Sequence, residues 1–148
     1  MHCVMYRQTG GKMNDNDDAF LILRDKEGAE KLLLSEILFL ESDGHNVNIH
    51  TSSGIIVQRG PMIYFSYFLD SRMFHCHQSY IINLDRIPIL HRKTIYFDNG
   101  ETLTFSKPIF NVVVRRYTMY HHLNAQDRRY DFTRNSEGLL KVAEDSGK

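Results

Sequence analysis

Apolar and polar residues alternate in short bursts along this chain. Asn46 to Thr51 shows it most cleanly, with Val47 and Ile49 on one side and Asn46, Asn48 and His50 on the other. A period of two is that of a half-buried β-strand. Phe20 to Arg24, Lys31 to Leu34, Ile37 to Ser42 and Ile55 to Val57 are further branched and aromatic runs. They are punctuated by Asp25–Gly28, Asp43-Gly44 and Ser53-Gly54, and such small polar clusters break strands into turns. Phe74 to Asn83 predicts one longer strand, and Ile87 to Leu90 its continuation beyond Asp85-Arg86. Thr94 to Phe97 and Thr102 to Phe105 flank Asn99-Gly100, a hairpin signal because both turn residues tolerate positive φ. A strict two-residue turn there would set Asp98 against Glu101. Like charges directly opposite are unfavourable, so the expected loop is longer or bulged.

The period changes twice. After Gly60-Pro61, Met62, Phe65 and Leu69 recur at helical spacing up to Asp70-Ser71, and proline suits a first helical turn. Ile109, Val113, Tyr117 and Tyr120 predict a closing helix, although Val112-Val113-Val114 is a weak helix former that packing must hold. About nine short strands with one or two short helices, and no repeat, fit an antiparallel β domain rather than βαβ units. Residues 19–123 carry this pattern. Residues 1–18 read as a polar leader, and residues 124–148 as a polar tail with a weak helix near Leu139 to Ala143.

Composition narrows the class. Of 148 residues, 42% are hydrophobic and 24% charged, which is ordinary globular usage. No apolar run is long enough to span a bilayer, and Met1 to Lys12 lacks the apolar stretch of a signal peptide. Two cysteines, Cys3 and Cys76, make no disulfide framework, so a reducing cytoplasm is expected. The net charge is zero, yet it is unevenly spread. Residues 86–134 carry nine Lys/Arg against four Asp/Glu, whereas residues 1–85 carry seven against eleven. A basic face on a neutral chain is an electrostatic footprint for phosphate, although solvated surface charge gives the same count.

Catalytic motifs are not found. There is no G-x-S-x-G, P-loop or G-x-G-x-x-G, and Gly10-Gly11-Lys12 follows no strand. The carboxylates are scattered rather than paired for acid–base work. His75-x-His77 on one strand would bring two imidazoles to one face with Cys76 on the other, but two ligands are too few for zinc. No enzyme, metal or cofactor is therefore expected.

The segment Phe74 to Ile87, F-H-C-H-Q-S-Y-I-I-N-L-D-R-I, resembles the signature of the LytTR family of bacterial DNA-binding domains. His77, Ser79, Tyr80, Asn83 and Ile87 stand at its H-R-S-Y-x-V-N-x-x-x-I positions. Ile37 to Glu41 is similar to the family's I-x-Y-I-E strand, followed by Asp43-Gly44-His45. Gly54 falls at a strand turn, Gly60 to Leu69 where a short helix belongs, and Asn99 to Lys107 at a D-G-x-x-L-x-V-S-R stretch. The resemblance spans about residues 20–120 in order. Gln78 replaces the usual basic residue, His75 stands about where arginine is common, and Pro108 follows Lys107.

The resemblance implies a mainly β, LytTR-type antiparallel domain of small stacked sheets with one or two short helices, acting as a cytoplasmic transcription regulator. It also implies that loops, not a recognition helix, enter successive major grooves of bent double-stranded DNA. Those loops are Asp43 to Asn46, the surroundings of His77 to Tyr80, and Ser106 to Ile109. His45, Asn46, Gln78 and Lys107 are carried over as contacts, and Ser79, Arg115 and Arg116 are chemically better suited to phosphate. The chemistry fits: Gln pairs with adenine, Lys with guanine, and His or Asn with groove acceptors. Each residue also has a plain reading, as a turn residue (His45, Asn46), a solvated strand position (Gln78) or a helix start (Ser106, Lys107). Tyr80 is expected in the core with its hydroxyl paired, and Asn83 at a turn or a backbone hydrogen bond. A second copy on tandem or inverted half-sites and a regulatory protein partner are the implied associations, since no receiver domain precedes this region. The alternative is a β-rich protein-interaction module that has lost DNA binding, which neutral charge and Gln78 favour.

Overall fold

The computed structural model describes residues 19–124, 132–134 and 140–142. The first strands, β1 (Phe20–Asp25) and β2 (Gly28–Leu33), form an antiparallel hairpin. Asp25 closes its turn by accepting from the amides of Glu27 and Gly28. A 3-10 turn at Leu34–Glu36 leads into β3 (Ile37–Asp43), followed by β4 (Asn46–Thr51) and β5 (Gly54–Arg59). After the short helix α1 (Met62–Ser66) come β6 (Met73–His77) and β7 (Tyr80–Asn83). These five strands make one antiparallel sheet in the order β5-β4-β3-β7-β6. A second sheet contains β8 (Ile89–His91), β9 (Thr94–Tyr96) and β10 (Thr102–Thr104), in the order β10-β9-β8. The helix α2 (Lys107–Asn124) follows, and then a small antiparallel pair, β11 (Phe132–Arg134) and β12 (Leu140–Val142).

The burial of β3 follows from its central place. Ile37, Leu38, Phe39 and Leu40 are all buried because both faces of the sheet are covered. The register shifts between Ile37 and Phe39, and such a bulge lets neighbouring residues share a side. Ile37 and Leu40 join the core under α1 and the β1–β2 hairpin, with Leu21, Val47, Ile49 and Phe65. Leu38 and Phe39 join the opposite core, with Ile82, Ile95, Phe97, Phe105 and Val113. Removing a ring such as Phe39 would cost about 3–5 kcal/mol. The periodicity of β4 holds for Val47 and Ile49, but His50 on its other face is buried too. Its ring stacks on Phe39 at 4.0 Å and bonds Glu41 at 3.0 Å and Glu101 at 2.8 Å. One imidazole thus ties the two sheets together.

Several expectations are corrected. Phe74 to Asn83 is a hairpin, β6 and β7, turning at Gln78-Ser79. No glycine or proline marks that turn. It is closed instead by the Ser79 amide donating to His77 Nδ1 at 3.0 Å, with an irregular register between Phe74 and His77. Ile87 to Leu90 does not continue that strand. A 3-10 turn at Leu84–Arg86 diverts the chain into the second sheet. The helix after Pro61 ends at Ser66, short of Asp70, and Pro61 stands just ahead of it. The closing helix is longer than expected, and Leu140–Val142 is a strand rather than a helix.

The Asn99-Gly100 hairpin avoids the like-charge pair as anticipated. The Phe97 amide bonds the Glu101 carbonyl at 2.9 Å, leaving a three-residue loop with Gly100 at φ 97°. Asp98 turns away to Arg86, which it holds at 2.6 Å. The β8–β9 turn is unmarked in the sequence. Arg92 and Lys93 adopt φ 52° and 66°, the type I′ geometry that matches strand twist but disfavours side chains with a Cβ by roughly 1–2 kcal/mol each.

Candidate nucleic-acid interface

Strand pairing fixes which loops share an edge. Asp43 faces Asn46, and Asn46 faces Arg59, so the β3–β4 turn and the end of β5 lie together. Gly44 at φ 63° makes this turn possible. His45 is exposed there, and its carbonyl accepts from the Gly60 amide at 2.9 Å. Glu41 pairs with Tyr80, which puts the β6–β7 turn beside the same end of β3. The Ser42 amide donates to the Ser79 carbonyl at 2.9 Å and joins the two loops directly. Gln78 is exposed at the tip, while Ser79 and Asn46 are half-buried.

The third loop arrives from the second sheet. The Phe105 ring packs on His77 at 6.0 Å and edge-on to Tyr80 at 5.4 Å. Ser106 and Lys107 follow it into solvent. Lys107 is the first residue of α2, and Phe110 donates to the Ser106 carbonyl at 2.9 Å, so Ser106 holds the capping position. Pro108 in this first turn lacks only an amide that would bond nothing. The expected contacts His45, Asn46, Gln78, Ser79 and Lys107 therefore converge on one rim. Arg115 and Arg116 are exposed on α2 but stand eight and nine residues from Lys107, about 12–14 Å along the helix. Arg116 lies over the Phe74 ring at 4.8 Å.

The supports beneath the rim are also visible. Tyr80 is half-buried, and its hydroxyl donates to Glu41 at 3.4 Å. Burial first, and the Glu41 charge second, raise its pKa and keep it a neutral donor. Asn83 is fully buried. Its amide donates to the Ile37 carbonyl at 2.7 Å and the Leu34 carbonyl at 3.3 Å, and its oxygen accepts from Asp85. Cys76 is half-buried, and burial pushes its thiol up to about 12, which keeps it protonated at neutral pH. Among the described residues, no three His, Cys, Asp or Glu side chains gather as metal ligands.

The sequence's basic stretch divides once folded. Arg86 is held in a bidentate pair with Asp98 and also bonds Ser52, at the end of the sheet opposite the rim. Arg59 and the Arg92-Lys93 turn, which the pattern of charges left unassigned, stand exposed at the two ends of the rim. Only tertiary pairing reveals that placement, since these residues are distant in sequence from one another and from the loops.

Fold and rim together define an antiparallel β domain that presents polar and cationic loops along one edge. The chain belongs to the LytTr DNA-binding domain family, whose sequence model matches residues 27–117. A solved structure with the same fold is the LytTr DNA-binding domain of a protein from Bacillus cereus. It is 20% identical, has a TM-score of 0.54, and the match covers 67% of this chain and 95% of that one. No curated protein matches the chain. Among the described residues, no helix is long and apolar enough to cross a membrane.

Proposed function

We propose that this protein is a sequence-specific transcription regulator that reads successive major grooves of double-stranded DNA through its three loops. The convergence of those loops on one rim carries the reading, through the Ser42–Ser79 bond and the packing of Phe105 on His77 and Tyr80. His45, Asn46, Gln78 and Lys107 are the base-reading set. Ser79, Arg115 and Arg116 meet phosphate, with the two arginines flanking the groove contacts from α2. The work is binding rather than catalysis, and it belongs in the cytoplasm, where bacterial DNA lies. Two copies would occupy tandem or inverted half-sites, and a regulatory protein would control access.

Fluorescence anisotropy with genomic duplexes that include the protein's own promoter, against a random duplex, tests this. His45→Ala, Gln78→Ala and Lys107→Ala should each weaken the specific complex by about 1–3 kcal/mol and affect random DNA far less. Arg115→Ala and Arg116→Ala should weaken both duplexes alike. If the triple loop variant binds the preferred duplex as tightly as the parent, the rim is not the reading surface. If the parent shows no preference among duplexes at low salt, the protein-interaction module becomes the better account.

A further inference from the structure

The loops account for one stretch of the rim, but the adjoining tip of the β8–β9 hairpin has no role in that reading. Arg92 and Lys93 form this tip, between the paired residues His91 and Thr94. Both are exposed, and both hold positive φ, a conformation that arginine and lysine rarely take. Asn-Gly is the pair that such a turn favours. Two cations here are therefore not explained by the turn they make.

The tip is fixed to the loops rather than free of them. The Phe105 amide donates to the Lys93 carbonyl at 3.0 Å, and Thr94 bonds Thr104 across the strands at 3.1 Å. Phe105 in turn packs on His77 and immediately precedes Ser106-Lys107. The carboxylates of this sheet, Asp98 and Glu101, lie at the other end of the hairpin and face Arg86 and His50. Among the described residues, Arg92 and Lys93 form no ion pair, whereas Arg72 and Arg86 do.

We propose that the Arg92-Lys93 turn is a phosphate clamp that grips the sugar–phosphate backbone beyond the third loop. This rests on the rim being the DNA surface. A duplex laid across the loops continues over the turn, where a guanidinium and an ammonium side by side meet phosphate oxygens. Such contacts fix the register of the protein on DNA and carry no sequence information. The bonds of the hairpin fix where the two side chains start, so binding has to order the side chains alone.

The test uses the full chain, a labelled random-sequence duplex of about 30 base pairs, and a duplex from its own promoter, over a range of salt. Arg92→Asn with Lys93→Gly keeps the turn geometry and removes both charges, so the melting temperature should hold or rise. Affinity for both duplexes should fall about tenfold or more at 100 mM salt, with the ratio between them unchanged. The slope of log K against log salt should become shallower by about 1.8, two counterion equivalents. Arg92→Lys with Lys93→Arg should keep the parent slope. So should Lys31→Gln, on β2, where Lys31 lines a pocket with Thr51 and Ser53 at the end of the sheet opposite the rim. If the double exchange perturbs folding, Arg92→Gln and Lys93→Gln alone should each take about 0.9 from the slope. An unchanged slope in the uncharged variants, while the parent binds, overturns the clamp and leaves the loops standing. A parent that binds neither duplex overturns the loop reading, and the clamp with it.

Discussion

Single residues differ in how openly the sequence declares them. Asn83 was legible as a backbone partner because a polar residue ends an apolar strand. What the sequence hid is that it bonds two carbonyls from a segment nearly fifty positions earlier. Asn83→Ala should therefore do more than loosen a turn. It removes the side-chain bonds to the Ile37 carbonyl and the Asp85 amide, at about 1–3 kcal/mol for each group that finds no replacement, whereas the Leu34 carbonyl still accepts from the Ile37 amide. Urea unfolding should show a loss of about 2–4 kcal/mol with an unchanged m-value, and a loss under 1 kcal/mol would show that water takes over these bonds. Cys76 yields a chemical prediction. Its thiol is pushed up to about 12 by burial, and a thiolate is what alkylating reagents attack. At pH 7.5, iodoacetamide should leave Cys76 unmodified in peptide mapping of the native protein, and label it after denaturation. Labelling at a free-thiol rate in the native state would mean that β6 opens readily.

At the scale of elements, the strands that alternate were readable and the turns without glycine were not. β4 and β5 are separated by Ser52-Ser53 with Gly54 opening β5, and the loop between β9 and β10 contains Asn99-Gly100, so composition marked both. The β6–β7 turn consists of Gln78-Ser79 and the β8–β9 turn of Arg92-Lys93, residues that look like strand or surface charge. A His77 ring nitrogen stabilises the first, and the second depends on the geometry of its sheet. Sequence spacing therefore gave one strand where there are two. It also concealed why His77 matters: its ring braces the very turn that displays Gln78. The β3–β4 turn offers a cleaner test, since Gly44 sits at φ 63° with open space around the position of a Cβ. Gly44→Ala meets no clash, only the penalty of the left-handed conformation, so it should cost about 1 kcal/mol. Gly44→Asn should cost less, because asparagine tolerates that region. His45 rides on this turn, so specific DNA affinity should fall in the alanine variant more than in the asparagine variant. Equal affinity in both would show that His45 does not depend on the turn's shape.

For the molecule as a whole, the division into leader, domain and tail can be argued from where the apolar side chains go. Among the described residues, every member of both core clusters, with the partly buried ones packed on them, lies between Ala19 and Tyr120. Two sheets and α2 enclose the second cluster. α2 is anchored at its far end by Tyr117 donating to the Ile87 carbonyl at 2.7 Å and by His121 at the Leu84 carbonyl. The chain of contacts that aligns the three loops also closes within these limits. A protein of residues 19–124 should then unfold in one cooperative transition at nearly the full-length temperature, because it keeps every described member of both cores. Binding should respond differently. The removed residues carry seven Lys/Arg, Arg128, Arg129 and Arg134 among them, against eight Asp/Glu. Random-sequence affinity should therefore drop and the salt slope become shallower only to the extent that these arginines meet phosphate directly, while discrimination between duplexes, which the proposed reading assigns to the loops, should stay the same. Calorimetry and anisotropy on the same preparation separate the two effects. A broad or lowered transition would mean that residues beyond 124 pack on the domain. A loss of discrimination with an intact transition would move part of the reading surface out of the three loops and into the tail.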